Sequence, residues 1–282
     1  MLEFSPVSVV APASSTRSIP LVLDSPHSGR RYPADFAFAC DPVHLRKAED
    51  TDIDDLYAAA PALGATLVCA EFPRSYIDPN RRLEDVDPSM FSGRWTRPVD
   101  ASPKTKSGIG LVWRVLDDGS PIYARSLSVS EVEARIEQCY TPYWQALTDV
   151  IESCYSAHQK VFHINCHSMP AEASPISWIK PGTKFADIVL GDRDGSTCSP
   201  EYTQMFRDAF AAEGLNVAIN DPYKGVELVK RFGKPSAHRH SIQIEINRRL
   251  YMNEATRERS ANYAHLKASI GRVLEKTAAF VA

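Results

Sequence analysis

Short runs of apolar and β-branched residues alternate along this chain with longer segments of helical spacing, and this alternation restricts the folds that it can adopt. Six runs have the length and composition of strands, at 20–25, 65–72, 161–166, 186–191, 216–220 and 241–247. Helical patterns occupy most of the intervals. Strands that alternate with helices pair mainly in parallel and are covered by helices on both faces. We therefore predict an α/β fold with a mixed, mainly parallel sheet flanked by helices.

Local signals indicate where several helices begin. A helical pattern with an acidic first turn spans 50–61, and acidic side chains suit the positive end of a helix. A longer helix is predicted from Ser130, because Ser130 and Glu133 have the spacing of a capping box. Pro142 should kink or divide it, since proline lacks the amide hydrogen that a helix interior needs. Two more helices are predicted, one after Ser199 and one over 256–280.

The segment 85–122 has a different character. Pro, Gly, Ser and Trp are frequent in it, and no helical or strand period persists. Irregular segments of this length in a compact domain are usually functional or flexible. We expect 85–122 to form a long loop or lid that folds over one end of the sheet, with disorder as the alternative. No linker divides the chain, so residues 1–282 are predicted to form a single domain.

Composition excludes several classes of protein. The 282 residues carry a formal net charge of -3, so the chain lacks the uncompensated basic surface that nucleic-acid binding requires. No apolar stretch approaches the ~20 residues that span a bilayer, and Glu3 and Pro6 stand where a signal peptide would be positively charged. Six scattered cysteines without a CxxC pair indicate reduced thiols. We expect a cytoplasmic protein that binds neither nucleic acid nor a membrane.

Polar clusters follow four of the predicted strands. In open α/β sheets the ligand site lies at the carboxyl ends of the strands, so these clusters form the candidate site. They are "DSPHSG" with His27, "FPRSYIDPNRR" with Arg74, Asp78, Asn80 and Arg81, "NCHSMP" with His167, and "QIEINRR" with Glu245. A second Asn-Arg-Arg triplet occurs at 247–249, and we interpret its likeness to the triplet at 80–82 as coincidence.

Two histidines at different strand ends, together with a carboxylate, make the minimal ligand set of a catalytic zinc that keeps a position open for water. His27 and His167 are such a pair, and hydrolysis is the chemistry that such a site performs. The segment "KAEDTDIDDLY" offers the carboxylates, namely Glu49, Asp50, Asp52, Asp54 and Asp55. The alternative is that these acids only cap and solvate a helix N-terminus. Cys166 raises a further alternative, a Cys-His nucleophile, although neighbours in a strand point to opposite faces.

Glu245 lies in the middle of the last predicted strand. The period of two places Gln243, Glu245 and Asn247 on one face and three isoleucines on the other. A buried carboxylate without a partner is costly, so Glu245 either faces solvent on an edge strand or serves a polar cavity. Beside a metal ion it could act as a general base. His163 shares the face of His167 but sits mid-strand, where a hydrogen-bonded core histidine is the usual outcome.

Arg74 and Arg81 are candidates for binding an anionic substrate, because a guanidinium group holds a carboxylate through two parallel hydrogen bonds. Asn80 and Arg81 follow Asp78-Pro79 in a turn at the end of a strand, a placement that suits recognition of an anionic group. The alternative for each side chain is a solvated surface position.

With these clusters in this order, the chain resembles the N-formylglutamate amidohydrolase family, whose members are also called N-formylglutamate deformylases. The resemblance runs from about Leu21 to Asn253, through "SPHSG", "DTDIDDLY", "GATLVCAEFPRSYIDPNR", "NCHSMP" and "YKG…FG…IQIEINRRLYMNE". That family in turn resembles the zinc carboxypeptidases and the aspartoacylase-like deacylases. The resemblance therefore implies a phosphorylase/hydrolase-like α/β domain with one zinc ion.

The resemblance also implies roles for individual residues. His27 and His167 match the metal-binding histidines, and an acid of the "DTD" segment would complete the site, for which we choose Asp52 over Asp50. Glu245 matches the general base and acid. The remaining assignments are substrate contacts: Asn80 and Arg81 match the pair that holds the substrate carboxylate, and Arg74 would polarise the scissile carbonyl or bind a second carboxylate.

The sequence thus indicates a zinc-dependent amidohydrolase that cleaves N-formyl-L-glutamate, or a similar short N-acyl acidic amino acid, to formate and L-glutamate. The chain departs from the family at 229–233, where "VKRFG" replaces "TRHYG", a difference that bears on the acyl substrate. A carboxypeptidase-like zinc peptidase and a non-catalytic binding protein on the same fold are the alternatives. The acyl group, the metal, the oligomeric state and the choice among Glu49, Asp50 and Asp52 stay open.

Overall fold

A computed structural model describes residues 2–177 and 179–282, which form a seven-stranded sheet and a small two-stranded one. The strands are β1 (Val7–Val10), β2 (Leu21–Ser25), β3 (Thr66–Ala70), β4 (Phe91–Ser92), β5 (Leu127–Ser128), β6 (Val161–Met169), β7 (Ile188–Gly191), β8 (Val217–Ile219) and β9 (Arg239–Asn247). The order in the large sheet is β1-β3-β2-β6-β9-β7-β8. Strands β2, β3, β6 and β9 are parallel, whereas β1 and the β7–β8 pair run the opposite way.

This architecture confirms the predicted α/β fold with a mixed, mostly parallel sheet. Each of the six predicted strands is present, although β6 extends to Met169 and so includes His167, which the sequence placed just after the strand. Strand β1 was not predicted. Its four residues pair antiparallel with β3, and this edge position leaves half of the Val9 and Val10 surface exposed, so the apolar signal was weak.

Helices cover both faces of the sheet. They are α1 (Pro42–Leu45), α2 (Ile53–Leu56), α3 (Pro103–Lys106), α4 (Val129–Arg135), α5 (Thr141–His158), α6 (Pro200–Ala212), α7 (Glu227–Phe232) and α8 (Tyr263–Val281). The predicted 50–61 helix is shorter than expected and continues as a separate 3-10 turn, and the last helix begins later than 256. The predicted start after Ser199 is confirmed.

The capping box of α4 differs from the prediction. Ser128, not Ser130, caps the helix: its hydroxyl accepts from the Glu131 amide at 3.1 Å, and the Glu131 carboxylate accepts from the Ser128 amide at 2.7 Å. The reason is that Ser128 ends the short strand β5, so its backbone is already extended as a cap requires. The predicted division at Pro142 is confirmed, because a π-helical turn over Ile136–Tyr140 separates α4 from α5.

The two faces of the sheet have opposite chemistry. The three isoleucines of β9 pack on one face with the buried aromatic side chains of α6 and the apolar face of α8. The other face carries a buried row of polar side chains, comprising Asp24, His163, Asn165, His167, Ser241, Gln243 and Glu245. The predicted alternation in β6 and β9 is therefore confirmed. Glu245 does not face solvent on an edge strand, since β9 lies between β6 and β7.

Asp24 is the hub of the hydrogen bonds in this polar row. Its carboxylate accepts from the hydroxyl of Tyr143 in α5 at 2.5 Å, from His163 Nε2 at 2.8 Å and from Asn165 Nδ2 at 2.8 Å. Burial raises the pKa of Asp24, but these hydrogen bonds outweigh it and hold the pKa below its usual range. His163, whose Nδ1 lies 2.8 Å from Ser241 Oγ, is thus the satisfied core histidine that its position predicted.

The segment 85–122 packs against the sheet as part of the core. Leu111, Trp113 and Ile122 are buried in an apolar cluster that lies on the same side of the sheet as the polar row. The backbone amide of Leu111 donates to the Asp85 carbonyl at 2.7 Å. This packing, together with helix α3, excludes the alternative that the segment is disordered. All six cysteines are free thiols. In the two described ranges no helix is both long and apolar enough to cross a membrane.

Gly29 is required for the loop that carries His27 to pass the end of β3. A Cβ atom at this position would lie 2.3 Å from the carbonyl oxygen of Phe72, which is rigid backbone. We predict that Gly29→Ala lowers the free energy of unfolding by about 1–3 kcal/mol. The added methyl group would clash with backbone atoms, which cannot move aside as a flexible side chain can. Urea denaturation measures the change.

Gly271→Ala is the matched control for that substitution. Gly271 lies inside α8, and beyond the backbone of the helix itself no atom stands within 4 Å of the point that a Cβ atom would occupy. Alanine should leave the stability unchanged or raise it by up to about 1 kcal/mol, since it is the better helix former. Equal effects of the two substitutions would contradict the role assigned to Gly29.

Candidate metal centre and active site

Three buried side chains converge at the carboxyl ends of β2 and β6. His27 lies in the loop after β2, His167 lies near the end of β6, and Asp50 precedes α2. His27 Nδ1 and His167 Nδ1 are 3.1 Å apart, and Asp50 Oδ2 lies 3.3 Å from the first and 2.9 Å from the second. Among the described residues these three form a group that could hold a metal ion.

Asp52, which the sequence analysis chose as the third ligand, is not part of this group. Asp52 begins α2 with a left-handed φ of 63°, and its carboxylate accepts from Arg259 at 2.9 and 3.0 Å, away from the two histidines. Asp50 takes its place because its backbone amide donates to the His27 carbonyl at 3.0 Å, which holds the two residues side by side. Glu49 instead accepts from the hydroxyls of Tyr32 and Thr51.

The outer nitrogens of both imidazoles show that the inner ones are free to bind a cation. His27 Nε2 lies 2.7 Å from Asp78 Oδ1, and His167 Nε2 lies 2.7 Å from Asn165 Oδ1. Both partners are acceptors, although the Asn80 amide also lies 3.1 Å from His167 Nε2. With a metal ion bound, each Nε2 would carry the proton and each Nδ1 would present its lone pair to the ion. Two lone pairs and a carboxylate oxygen would repel one another without a cation between them.

The spacing of these atoms fits a small tetrahedral ion. A zinc ion with bonds of about 2.0–2.1 Å holds its ligand atoms about 3.3 Å apart. The observed separations run from 2.9 to 3.3 Å. Two nitrogens and one carboxylate oxygen also form a donor set that zinc accepts, with a fourth position left for water or substrate. The residues present therefore fit the metal that the family resemblance implies.

Arginines contact two buried carboxylates beside the histidines, those of Asp50 and Asp78. Arg248 Nη2 donates to Asp50 Oδ1 at 2.9 Å, and Arg74 Nη2 donates to Asp78 Oδ2 at 2.9 Å. Burial raises the pKa of Asp50, but its hydrogen bonds to His167 and His27 and the charge of Arg74 hold it well below its usual range. Both carboxylates are therefore ionised, each with one oxygen directed to a histidine and the other to an arginine.

Glu245 stands next to His167 on the neighbouring strand. The two residues are directly paired in the β6–β9 register, and their side chains share the polar face. Gln243 Nε2 donates to Glu245 Oε1 at 2.8 Å, which fixes the orientation of the carboxylate. Burial raises the pKa of Glu245 and the charge of Asp50 adds to the effect, although His167, Lys104 and Arg74 oppose it. A carboxyl group with a raised pKa is suited to both accept and donate a proton.

The three predicted substrate contacts differ in how they are held. Arg74 stacks its guanidinium 4.9 Å above the ring of Trp113. Arg81 donates from Nε to the Ile109 carbonyl and from Nη1 to the Asn80 carbonyl. Its buried Nη2 lies 3.5 Å from Asp78 Oδ2 and makes no hydrogen bond with the described residues. Asn80 is tied into the scaffold, since its Oδ1 accepts from the Leu228 amide at 3.1 Å. Of this Asn-Arg pair, Arg81 is therefore the residue whose donor group, Nη2, could form a hydrogen bond to a substrate.

These side chains open into one cavity of about 650 Å³. Six of the predicted site residues line it, namely His27, Arg74, Asn80, Arg81, His167 and Glu245. Among the described residues, the lining contains seven cationic side chains (Lys47, Arg74, Arg81, Lys104, Lys224, Arg248 and Arg257) and three acidic ones (Asp117, Glu245 and Glu254). The excess of positive charge suits a small anionic ligand.

Several residues of the site escaped the sequence analysis. Arg248 belongs to the second Asn-Arg-Arg triplet. Each of the two triplets contributes one arginine to the cavity, namely Arg81 and Arg248. The position of Arg248 directly after a strand was the signal that could have identified it. Lys104 gave no such signal, because it comes from the aperiodic segment 85–122. Asp78 was noted at a strand end, but its contact with His27 was not predicted.

The Cys-His alternative does not hold. Cys166 lies on the apolar face of the sheet, where it is fully buried and its thiol points to the carbonyl of Ile164. Burial raises the pKa of Cys166 well above its usual range. A thiol on the face opposite to His167 cannot be activated by it.

A polar pocket at the strand ends of an α/β sheet, with a buried carboxylate beside a cluster of metal-ligand type, is the arrangement expected of a hydrolase. The chain belongs to the N-formylglutamate amidohydrolase family, whose model matches residues 19–252. This membership confirms the resemblance that the sequence motifs indicated.

Individual relatives agree with this assignment. A crystal structure of N-formylglutamate amidohydrolase from Ralstonia eutropha JMP134 is 45% identical, with a TM-score of 0.94 over 99% of both chains. The N-formylglutamate deformylase of Pseudomonas putida is 29% identical over 241 residues, which cover 84% of this chain and 83% of the relative. A gene product from Agrobacterium tumefaciens, at 21% identity and a TM-score of 0.64 over 98% of this chain and 97% of the other, shares the fold.

The geometry predicts different effects for two neighbouring aspartates. Asp50→Asn removes the charged ligand atom that faces both histidines, so we expect the affinity for Zn²⁺ to fall by at least about 100-fold, the upper range for changes around metal ligands. Competition with a chromogenic chelator measures this affinity. Asp52→Asn is the matched control and should leave it unchanged, since the Asp52 carboxylate contacts Arg30 and Arg259 rather than the two histidines. A larger loss of affinity in Asp52→Asn would reverse the assignment.

Proposed function

We propose that this protein is a zinc-dependent amidohydrolase that cleaves N-formyl-L-glutamate to formate and L-glutamate. One observation carries the proposal: the His27, Asp50 and His167 ligand atoms converge beside Glu245 inside a cationic cavity. Family membership supports the reaction type, and the names of the relatives from Ralstonia and Pseudomonas support the substrate. Free thiols and the absence of a membrane-spanning helix in the described residues are consistent with a cytoplasmic location.

His27, Asp50 and His167 would hold the ion. A bound Zn²⁺ supplies Lewis acidity, which polarises a carbonyl group and lowers the pKa of a water molecule toward ~7. The hydrogen bonds from the imidazoles to Asp78 and Asn165 keep both rings in the orientation and tautomer that this role needs.

The cationic cavity recognises the substrate as an anion. N-formylglutamate carries two carboxylates, and Arg81 offers a buried donor, Nη2, that has no hydrogen-bond partner among the described residues and lies 3.5 Å from Asp78 Oδ2. A carboxylate placed on this atom would satisfy it, and the geometry of a guanidinium group favours such a contact. We therefore assign the α-carboxylate of the substrate to Arg81, with Asn80 holding the arginine in place through its carbonyl.

Glu245 moves the proton. Its Oε1 is held by Gln243, so Oε2 accepts a proton from the attacking water while the water oxygen bonds to the formyl carbon. The same group then gives this proton to the amide nitrogen as the C–N bond breaks, which releases formate and the free amine. The raised pKa of Glu245 places the group closer to the pH at which both transfers are favourable.

Arg74 lies where it can stabilise the developing negative charge. Its side chain lines the cavity, and its Nη1 is 3.7 Å from Asp50 Oδ1 and thus close to the ligand cluster. Contacts with Asp78 and the Trp113 ring hold the guanidinium rigidly. A donor that is fixed before the reaction costs no reorganisation when the oxyanion forms.

The alternative of a peptidase is weakened by the wall that the segment 85–122 builds. This segment lines the cavity with five side chains, Lys104, Ser107, Ile109, Trp113 and Asp117. A cavity that is closed on this side favours a small substrate over a polypeptide, which is the outcome expected if the segment acts as a lid. A binding protein without catalysis would have no use for a buried carboxylate next to the ligand cluster.

The test of the proposed function is the substitution Glu245→Gln. Zinc affinity should be retained, because Glu245 is not a ligand, whereas turnover of N-formyl-L-glutamate should fall by about 10²–10⁴-fold, the usual contribution of a general base. Formate release and bound zinc are both measured. Glu254→Gln is the control, since Glu254 also lines the cavity but accepts from the Ala171 amide.

Two outcomes would contradict this proposal. A Glu245→Gln enzyme with normal turnover would exclude Glu245 as the base. A wild-type protein that hydrolyses none of a panel of N-acyl amino acids, both before chelation and after restoration of Zn²⁺, would exclude the amidohydrolase function itself.

A further inference from the structure

Segment 85–122 brings a lysine to the wall of the active-site cavity. Lys104 lies in α3 and lines the cavity together with Arg81 and Trp113. Helix α3 is held firmly, because Asp85 Oδ1 accepts from the Ser102 amide at 2.9 Å and from the Thr105 hydroxyl at 3.1 Å. Lys104 lies outside the sequence motifs that indicated the family resemblance, and no step of the proposed mechanism uses it.

One backbone unit ties Lys104 to the predicted carboxylate-binding arginine. The Ile109 amide donates to the Lys104 carbonyl at 2.9 Å, and the Ile109 carbonyl accepts from Arg81 Nε at 3.2 Å. Ile109 itself lines the cavity. Lys104 and Arg81 therefore belong to the same rigid piece of wall, so two carboxylates of one small molecule can lie against them together.

This part of the wall has an excess of positive charge. Arg74 and Arg248 each bond to a buried aspartate at 2.9 Å, whereas Arg81 Nη2 lies 3.5 Å from Asp78 Oδ2 and makes no hydrogen bond among the described residues. Burial lowers the pKa of Lys104 to about 7, and the charges of Arg81 and Arg74 contribute to the shift. Cations crowded in this way are stabilised when an anion binds between them.

We propose that Lys104 binds the side-chain carboxylate of the substrate, while Arg81 holds the α-carboxylate. Lys104 is then the residue that selects N-acylated acidic amino acids over neutral ones. The inference rests on the proposed function, because it assigns the second carboxylate of that same substrate. Glu245 and Lys104 line the same cavity, so the amino-acid half of the substrate would lie between Glu245 and α3.

The substitution Lys104→Met tests this assignment, because methionine keeps much of the length of the side chain but removes its charge. The substrates are N-formyl-L-glutamate and N-formyl-L-glutamine, which have similar size and differ in one charge. We expect the KM for the glutamate substrate to rise at least about 10-fold, the loss typical of a charged hydrogen bond, with little change in kcat. The KM for the glutamine substrate should not change, and Lys104→Arg should restore part of the discrimination.

Lys106→Met is the matched control, since Lys106 lies in the same helix, is exposed and does not line the cavity. Its KM values should equal those of the wild type. Equal losses with both substrates in Lys104→Met, or an unchanged preference for the glutamate substrate, would overturn the assignment.

Binding measurements separate this inference from the proposed function. Glutarate and pentanoate are titrated calorimetrically into the wild type and into Lys104→Met. If the wild type hydrolyses neither formyl substrate but Lys104→Met weakens glutarate binding and leaves pentanoate unaffected, the dicarboxylate site stands although the proposed reaction fails. Equal glutarate affinity in the two proteins, or no glutarate binding to the wild type, overturns it.

Discussion

Burial of a polar sheet face is the constraint on which the rest of the structure depends. Charged side chains on a central strand are tolerated only if each finds a partner, because an unpaired buried charge costs several kcal/mol. Asp24 meets this requirement with three donors from β6 and α5, and one of them, Asn165, also orients His167. The hydrogen bonds that satisfy the buried polar face are therefore connected to the one that orients His167 in the candidate metal centre.

Asp50 and Asp78, the buried aspartates beside the cavity, also have a partner for each oxygen. Asp50 and Asp78 each divide their two oxygens between a histidine and an arginine, so neither charge can change without disturbing both groups. The arginines gain fixed positions and remain at the cavity wall. Each of these two carboxylates therefore lies between an arginine of the cavity wall and a histidine of the candidate metal centre.

The sequence predicted those features that depend on local order. His27, His167 and Glu245 were found because strand period and strand ends are visible in a short window, and Arg74 and Arg81 followed from the same rule. Asp50 could not be distinguished from Asp52, since the deciding contact is a backbone hydrogen bond to His27, far away in the chain. The sequence did not indicate Lys104, because the segment 85–122 has no helical or strand period. The position of this segment depends on the tertiary packing of Leu111 and Trp113.

The pairing of His167 with Glu245 across β6 and β9 limits which parts of the cavity can vary. Their separation is set by the hydrogen-bond ladder of two central strands, which loop replacements do not alter. The segment 85–122 and the turn at 222–226, in contrast, contact the cavity from outside the sheet. Substitutions in these outer walls can therefore change the shape and charge of the cavity without moving His167 relative to Glu245.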